Sequence, residues 1–398
     1  MKRKSPPATF FAAVFVATFA AIAFAIPVAI PVSLIFFVAF AGSSQAQDLV
    51  VSEFRIPTPH SGKKGLEAVM VRPNDNMPHP LALVTHGTPR EPSERSEMTP
   101  LRLIPQAREF ARRGWTTVIV MRRGFGDSGG GYAEENRVCG GYPDFVSPTK
   151  QSVVDLRESA AYLDTRPEID PSRMIAIGVS TGGLAIVGLA ADPPPGLVAA
   201  INFAGGRGSR APDQVCHPDD LVRAFGDFGS HAKVPMLWIY SANDHFFAPF
   251  LAERFYQAFT RSGGKAQFIM APPFGDDGHH LFSLRGIPLW TPMVDDFLKR
   301  QNLVLRDTLL QVPVPAVDFP SILRDTDRPD AAREEFQRYL LGAPHKALAA
   351  SSTGSLAIVV GRRTADEAEK QALKDCKKIA AKDASCAVVM IDDKKEDN

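Results

Sequence analysis

The most constraining feature of this sequence is the alternation of short apolar runs with longer segments of helical periodicity between residues 48 and 306. The run at residues 174–179 carries no charge, which is typical of a parallel strand buried on both faces of a sheet. Because such runs recur with helical segments between them, the order predicts a doubly wound, mostly parallel α/β sheet. We expect an antiparallel pair of strands at its N-terminal edge.

The expected elements can be given as residue ranges. Strands are predicted over residues 49–55, 67–72, 81–85, 117–121, 174–178, 199–203, 236–240 and 267–270. Helices are predicted over residues 101–113, 150–163, 184–191, 249–261 and 291–300. We interpret residues 47–305 as one α/β domain on this basis.

A second, smaller unit follows a proline-rich and charged linker at residues 306–340. Residues 341–398 predict a ββαβ module, with strands over 346–351, 356–360 and 386–391. Thr364 and Glu367 have the spacing of a capping box at the start of its helix. The module shows no pairing of a nucleophile with a base, so we interpret it as a structural or binding appendage.

The N-terminus has the pattern of a secretory signal peptide. Three basic residues precede residues 5–47, which carry no charge, and small residues stand at 44 and 46. This pattern predicts that residues 1–46 are removed and that the remaining chain is periplasmic or secreted. The alternative is an uncleaved membrane anchor formed by residues 8–41.

The cysteine content fits an oxidising compartment. The four cysteines are an even set that allows three disulfide pairings: Cys139, Cys216, Cys376 and Cys386. Because the two halves of the chain look like separate domains, we favour Cys139–Cys216 and Cys376–Cys386. Neither a C-x-x-C pair nor a zinc-like histidine spacing is present, so we expect no metal and no cofactor.

The charge balance disfavours one broad class of function. Lys and Arg total 45 against 44 Asp and Glu, which gives a net charge of +1. This balance gives no bulk electrostatic reason to bind nucleic acid. The expected partner is instead a small molecule.

The strongest chemical signal is Gly-Val-Ser-Thr-Gly-Gly at residues 178–183. A buried strand is predicted before it and an apolar helix after it, which is the context of a nucleophile elbow centred on Ser180. Ser128 lies in a second Gly-x-Ser-x-Gly match, but no helix follows it. We therefore interpret Ser128 as part of a loop at the rim of the site.

A nucleophilic serine needs an imidazole to accept its proton and a carboxylate to orient that imidazole. Asp244 follows the predicted strand 236–240, and His279 follows the predicted strand 267–270. We prefer His279 to the adjacent His280 because it follows a flexible glycine at the loop tip. The acidic residues beside the two histidines leave a metal cluster as a less favoured alternative.

The oxyanion of an acyl-transfer reaction needs two backbone N–H donors. Thr181, directly after the serine, is one candidate, and Thr88 is the other, since Pro89 has no N–H to donate. His86 could be mistaken for the catalytic base, but we interpret it as a residue that braces this loop.

These motifs, in this combination and order, resemble the α/β-hydrolase superfamily, and within it the dienelactone-hydrolase-like and prolyl-oligopeptidase-like serine hydrolases. The matching segments are His-Gly at 86–87, Arg-Gly-Phe-Gly-Asp-Ser at 123–128, the elbow at 178–183, Asn-Asp at 243–244 and Asp-Gly-His at 277–279. The resemblance implies hydrolysis of an ester, lactone or amide through an acyl-enzyme, with Ser180, Asp244 and His279 as the triad. True dienelactone hydrolases have a cysteine where this chain has Ser180.

The sequence leaves the substrate open. Arg207, near the end of a predicted strand, is a candidate to pair with a substrate carboxylate, and the alternative is a solvated arginine. We expect carboxylic ester hydrolysis first. A peptidase and a non-enzymatic envelope-binding protein built on the same fold are the alternatives.

Overall fold

A computed structural model describes residues 49–135, 139, 141, 143–312, 314–320 and 329–396. The predicted signal peptide and the alternative anchor lie outside the described residues. Within the described ranges, no helix has the length and apolarity needed to cross a membrane.

The main sheet has eight strands in the order β1-β2-β4-β3-β5-β6-β9-β10. Its members are β1 (Leu49–Ile56), β2 (Leu66–Pro73), β3 (His79–Thr85), β4 (Thr116–Val120), β5 (Ile169–Val179), β6 (Leu197–Phe203), β9 (Met236–Ser241) and β10 (Ala266–Ala271). The two pairings at the N-terminal edge, β1–β2 and β2–β4, are antiparallel. All other neighbours in the sheet are parallel. The predicted sheet class and the edge pair are thus confirmed.

Helices cover both faces of this sheet because successive strand side chains point to opposite sides. They are α1 (Ile104–Arg112), α2 (Val146–Leu163), α3 (Thr181–Ala191), α4 (Pro218–Gly229), α5 (Pro249–Arg261) and α6 (Ile287–Arg300). Side chains of α2 to α5 share one apolar core with the sheet. Those of α1 and α6 share the core on the other face. This layering leaves the carboxyl ends of β3, β5, β9 and β10 free to carry a site at one edge.

Two elements between β6 and β9 lie outside the strand and helix ranges predicted above. They are the short hairpin of β7 (Ser209–Ala211) with β8 (Gln214–Val215), and helix α4. Glycines within α4 weaken its intrinsic helical signal. Burial of Leu221 and Phe225 in the core stabilises the helix instead.

The C-terminal unit contains the predicted ββαβ order. Strands β11 (Ala347–Ser351), β12 (Leu356–Val359), β13 (Cys386–Ile391) and β14 (Lys394–Lys395) form an antiparallel sheet in the order β12-β11-β13-β14. Helix α8 (Ala365–Ile379) begins at the predicted cap, where the Thr364 side chain accepts a hydrogen bond from the Glu367 N–H at 3.2 Å. The Cys376–Cys386 disulfide joins α8 to β13.

The second half of the predicted linker is a helix, α7 (Pro329–Leu341). Besides its charged residues, this helix has an apolar face. On that face, Phe336, Tyr339 and Leu340 pack against the C-terminal sheet. This unit also contacts the main sheet, since the Arg363 guanidinium pairs with the Glu67 carboxylate at 2.9 Å.

Candidate active site

Ser180 lies at a sharp turn between β5 and α3. Its backbone has φ 57° and ψ −123°, a positive-φ conformation that residues other than glycine rarely adopt. A Cβ at Gly178 would collide with the Gly182 carbonyl, and one at Gly182 with the His86 carbonyl. The glycines on both sides therefore let the chain turn tightly enough to form the elbow.

Asp244 follows β9 directly and is 1% exposed. One carboxylate oxygen accepts hydrogen bonds from the backbone N–H groups of Phe246 and Phe247, at 2.7 and 2.9 Å. The other oxygen lies 3.1 Å from Nδ1 of His279. The carboxylate is thus held by the backbone on one side and faces the imidazole with the other.

The loop after β10 carries His279, which is 6% exposed. One carboxylate oxygen of Asp277 accepts from the backbone N–H groups of His245 and His279, at 3.0 and 2.9 Å. The imidazole of His279 stacks on the Phe246 ring, with centroids 3.9 Å apart. These contacts fix both loops relative to each other and orient the imidazole.

The two residues expected to supply oxyanion donors also lie together. The side-chain oxygens of Thr88 and Thr181 are 2.7 Å apart. Thr88, Thr181 and Ser180 line one cavity. The structure therefore places both threonines beside the serine, although they stand 93 positions apart in the chain.

A buried ionic cluster that the sequence analysis missed supports this wall. The Glu134 carboxylate lies between the guanidinium groups of Arg122 and Arg207, and all three residues are at most 2% exposed. Arg122 also donates to the side-chain oxygen of Thr85 at 2.7 Å and to that of Thr181 at 3.3 Å. The adjacent arginines after β4 were the available signal, but nothing in their spacing identifies Glu134 as the partner.

Arg207 was expected to emerge near a strand end, and the structure places it on the cavity wall. It is 2% exposed and donates to a Glu134 carboxylate oxygen at 2.8 Å, so it is not a solvated arginine. Its Nε atom has no hydrogen-bond partner among the described residues.

The alternative candidates have other contacts. The Ser128 hydroxyl donates to the Met121 carbonyl at 2.6 Å and accepts from the Glu67 N–H at 2.9 Å, so it ties its loop to β2 and to the end of β4. His86 accepts from the Arg122 N–H at 3.1 Å. Burial, with a smaller effect of the Arg122 charge, lowers the pKa of His86 from 6.5 to about 3. His86 is thus a neutral residue that braces the loop.

Cys139 and Cys216 form a disulfide with a Cα–Cα distance of 5.2 Å. It ties the segment around residue 139, on the cavity wall, to the start of α4. Both favoured pairings are therefore confirmed. Among the described residues, no group of three or more His, Cys, Asp or Glu side chains is arranged to hold a metal ion.

Two cavities meet at Ser180. One measures about 550 Å³ and extends toward Arg207. The other measures about 580 Å³ and includes His279 and Phe282 in its wall. A substrate bound at Ser180 would have room on both sides of the bond that is cleaved.

Comparison with known proteins gives one family match. A family model described as X-Pro dipeptidyl-peptidase (S15 family) matches residues 62–224, which is less than half of the chain. The matched range contains Ser180 but neither Asp244 nor His279. No curated protein sequence matches the chain.

Several solved structures are similar at low identity. The esterase Pf2001 of Pyrococcus furiosus is 17% identical, with a TM-score of 0.43, covering 63% of this chain and 90% of that one. An esterase from Thermogutta terrifontis, Est2, is 18% identical, with a TM-score of 0.45 and coverage of 65% and 94%. Est1E of Butyrivibrio proteoclasticus, with ferulic acid bound, is 16% identical, with a TM-score of 0.44 and coverage of 63% and 99%.

These structural similarities are too distant to carry an argument about the site. The assignment rests instead on three features of the chain itself and on the family match. The features are the strand order of the main sheet, the strained serine between β5 and α3, and the buried carboxylate–imidazole pair after β9 and β10. Together with the family match at residues 62–224, they support a serine hydrolase with the α/β-hydrolase fold.

Proposed function

We propose that this protein is an exported enzyme that hydrolyses carboxylic esters or lactones, with Ser180, Asp244 and His279 as its catalytic triad. The observation that carries the proposal is the 3.1 Å contact between His279 Nδ1 and Asp244, both buried, on the loops that follow β9 and β10. In a parallel sheet, the carboxyl ends of β5, β9 and β10 lie at one edge, which is also where Ser180 stands.

The proposed reaction proceeds in two steps. His279 accepts the Ser180 proton as the hydroxyl attacks the ester carbonyl, and Asp244 stabilises the imidazolium that forms. The Thr88 and Thr181 N–H groups then hold the tetrahedral oxyanion, and His279 returns the proton to the leaving alcohol. Water hydrolyses the acyl-enzyme, with His279 again acting as the base.

The direct test compares two serine variants with the same change. Ser180→Ala should reduce kcat for a chromogenic short-chain ester by about 10⁵-fold or more, because it removes the nucleophile. Ser128→Ala, in the other Gly-x-Ser-x-Gly segment, should retain turnover, since its hydroxyl bonds the backbone groups of Glu67 and Met121 and lines neither cavity at Ser180. Normal turnover by folded Ser180→Ala would refute the proposal.

Peptide hydrolysis is the second candidate, and the match to the S15 family model favours it. Comparing kcat/KM for an X-Pro dipeptide amide with that for an ester of similar size separates the two activities. A preference for the amide would replace the ester proposal. The third candidate, a non-enzymatic binding protein, predicts that a fluorophosphonate probe leaves the folded chain unlabelled.

Export is part of the same proposal. Two disulfides support it, because they persist in oxidising compartments and are rare in the cytosol. N-terminal sequencing of the protein recovered from a bacterial expression host should find Gln47 as the first residue. An intact N-terminus in a membrane fraction would support the anchor instead.

A further inference from the structure

The cavity on the Arg207 side of Ser180 has an unusual charge for an enzyme that acts on neutral esters. Four arginines line it: Arg90, Arg95, Arg207 and Arg210. Glu135 is the one acidic residue in that lining as described, and it is exposed. The wall therefore carries a clear excess of positive charge.

Most of this charge is not neutralised locally. Arg207 pairs with Glu134, but that carboxylate also serves Arg122, so the cluster of three keeps one net positive charge. Arg90 donates to the Ser209 hydroxyl at 2.9 Å, and within the described residues it has no acidic partner. Its Nε is buried there without a hydrogen-bond partner.

The other two arginines are also free of acidic partners within the described part of the chain. The Arg95 guanidinium lies over the Tyr132 ring, 3.8 Å from its centroid, and its Nε donates to a backbone carbonyl at 3.1 Å. Arg210 is exposed at the cavity mouth. Their remaining N–H groups can donate to a bound anion.

The positive charge is concentrated on one side of the serine. The second cavity includes Glu91 and Glu94 beside a single arginine, Arg90, and apolar residues such as Phe282. Arg90 lines both cavities, with its guanidinium 3.5 Å from the Phe246 centroid. A substrate that spans Ser180 would meet three of the four arginines at one end only.

We propose that the natural substrate is an ester with an anionic group, most simply a carboxylate, that binds in the arginine-lined cavity. This inference rests on the proposed function and names its substrate class. Guanidinium groups donate two parallel hydrogen bonds to a carboxylate, and the partly enclosed wall reduces screening by water. The same wall opposes a cationic group at that end, such as the free amino terminus of a dipeptide substrate.

The test compares esters of similar size that differ in charge. On the acyl side, the mono-4-nitrophenyl ester of adipic acid is compared with 4-nitrophenyl hexanoate and with the corresponding trimethylammonium hexanoate ester. On the alcohol side, the butyrate ester of 4-hydroxybenzoate is compared with that of 4-hydroxybenzamide. After subtraction of spontaneous hydrolysis, we expect the anionic member of at least one pair to have a kcat/KM about tenfold higher, which is about 1.4 kcal/mol.

Arginine variants show whether the cavity causes the preference. Arg95→Gln and Arg210→Gln should each lower the anionic-to-neutral ratio of kcat/KM about threefold, as expected for a partly exposed ion pair. Arg261→Gln is the matched control, because it lies at the far end of α5, away from the carboxyl edge of the sheet. Addition of 0.5 M NaCl should reduce the wild-type ratio.

The outcomes separate the two proposals. Turnover of the neutral esters at least as fast as the anionic ones in both pairs overturns the substrate class and leaves the esterase proposal standing. A preference that is the same in Arg95→Gln, Arg210→Gln and the control also overturns it. No turnover of any ester overturns the proposed function, and the substrate class with it.

Discussion

Glu134→Gln removes one negative charge from the centre of the site wall without changing the side-chain shape. Burial alone would raise the pKa of Glu134, but the charges and hydrogen bonds of Arg122 and Arg207 outweigh it and lower the pKa from 4.5 to about 2. In the variant, a neutral amide faces two buried guanidinium groups. We therefore expect this substitution to be among the most destabilising in the wall.

The magnitude follows from the pKa. One pKa unit corresponds to about 1.4 kcal/mol, so a decrease from 4.5 to about 2 gives a contribution of about 3 kcal/mol to the free energy of unfolding at pH 7. Loss of one partner of a buried ion pair costs about 3–5 kcal/mol in general. Both routes predict a loss of about 3 kcal/mol for Glu134→Gln.

The assay is urea-induced unfolding at several pH values. The pKa of Glu134 is lower in the folded chain than in the unfolded chain, so its contribution is complete above pH 4.5 and disappears as the pH falls toward 2. The difference in unfolding free energy between wild type and Glu134→Gln should therefore decrease below pH 4.5. Glu135→Gln, at the exposed neighbouring position, is the control, and its unfolding free energy should lie within about 0.5 kcal/mol of the wild-type value. A difference in unfolding free energy between wild type and Glu134→Gln that is under 1 kcal/mol at pH 7, or that does not change with pH, would refute this reasoning.

Three further predictions concern stability. The pKa of His86 is about 3 in the folded chain and 6.5 in the unfolded chain, so the free energy of unfolding should fall as the pH decreases from 6.5 toward 3. His86→Gln should reduce the slope of unfolding free energy against pH in this range by about 1.4 kcal/mol per pH unit, and an unchanged slope would contradict this prediction. Replacing Cys139 and Cys216 by Ser opens a loop of 77 residues and should lower the free energy of unfolding in urea by up to about 4 kcal/mol. An unfolding free energy equal to that of wild type would show that the disulfide does not constrain the unfolded chain. Arg363→Ala leaves the Glu67 carboxylate without its ionic partner and should lower Tm by several degrees. An unchanged Tm would show that this contact does not couple the C-terminal unit to the main sheet.

The main sheet could be predicted because its strands are local signals. Unbroken apolar runs such as residues 174–179 identify strands buried on both faces, and the structure extends most of them by one or a few residues. The capping box at Thr364 likewise fixed the start of α8. Helix α7 was missed because charged residues lie between its apolar ones, and only packing against the C-terminal sheet shows why Phe336 is buried.

The candidate site divides in the same way. Ser180, Asp244 and His279 could be proposed from the order of strand ends, because each directly follows or closely follows a predicted strand. The Glu134 cluster could not, since buried ion pairs among Arg122, Glu134 and Arg207 leave no periodic or spacing signal in the sequence. The arginine-lined cavity is also a product of the fold, because its residues come from loops after several different strands.

The most direct measurement of the central claim is mass spectrometry of the folded protein after treatment with a fluorophosphonate, in wild type and in Asp244→Asn and His279→Ala. We predict a single adduct on Ser180 in wild type and labelling at least about 10³-fold slower in both variants, because the serine loses its general base or the base loses its orientation. An adduct on another residue, or equal labelling rates in all three proteins, would contradict the account.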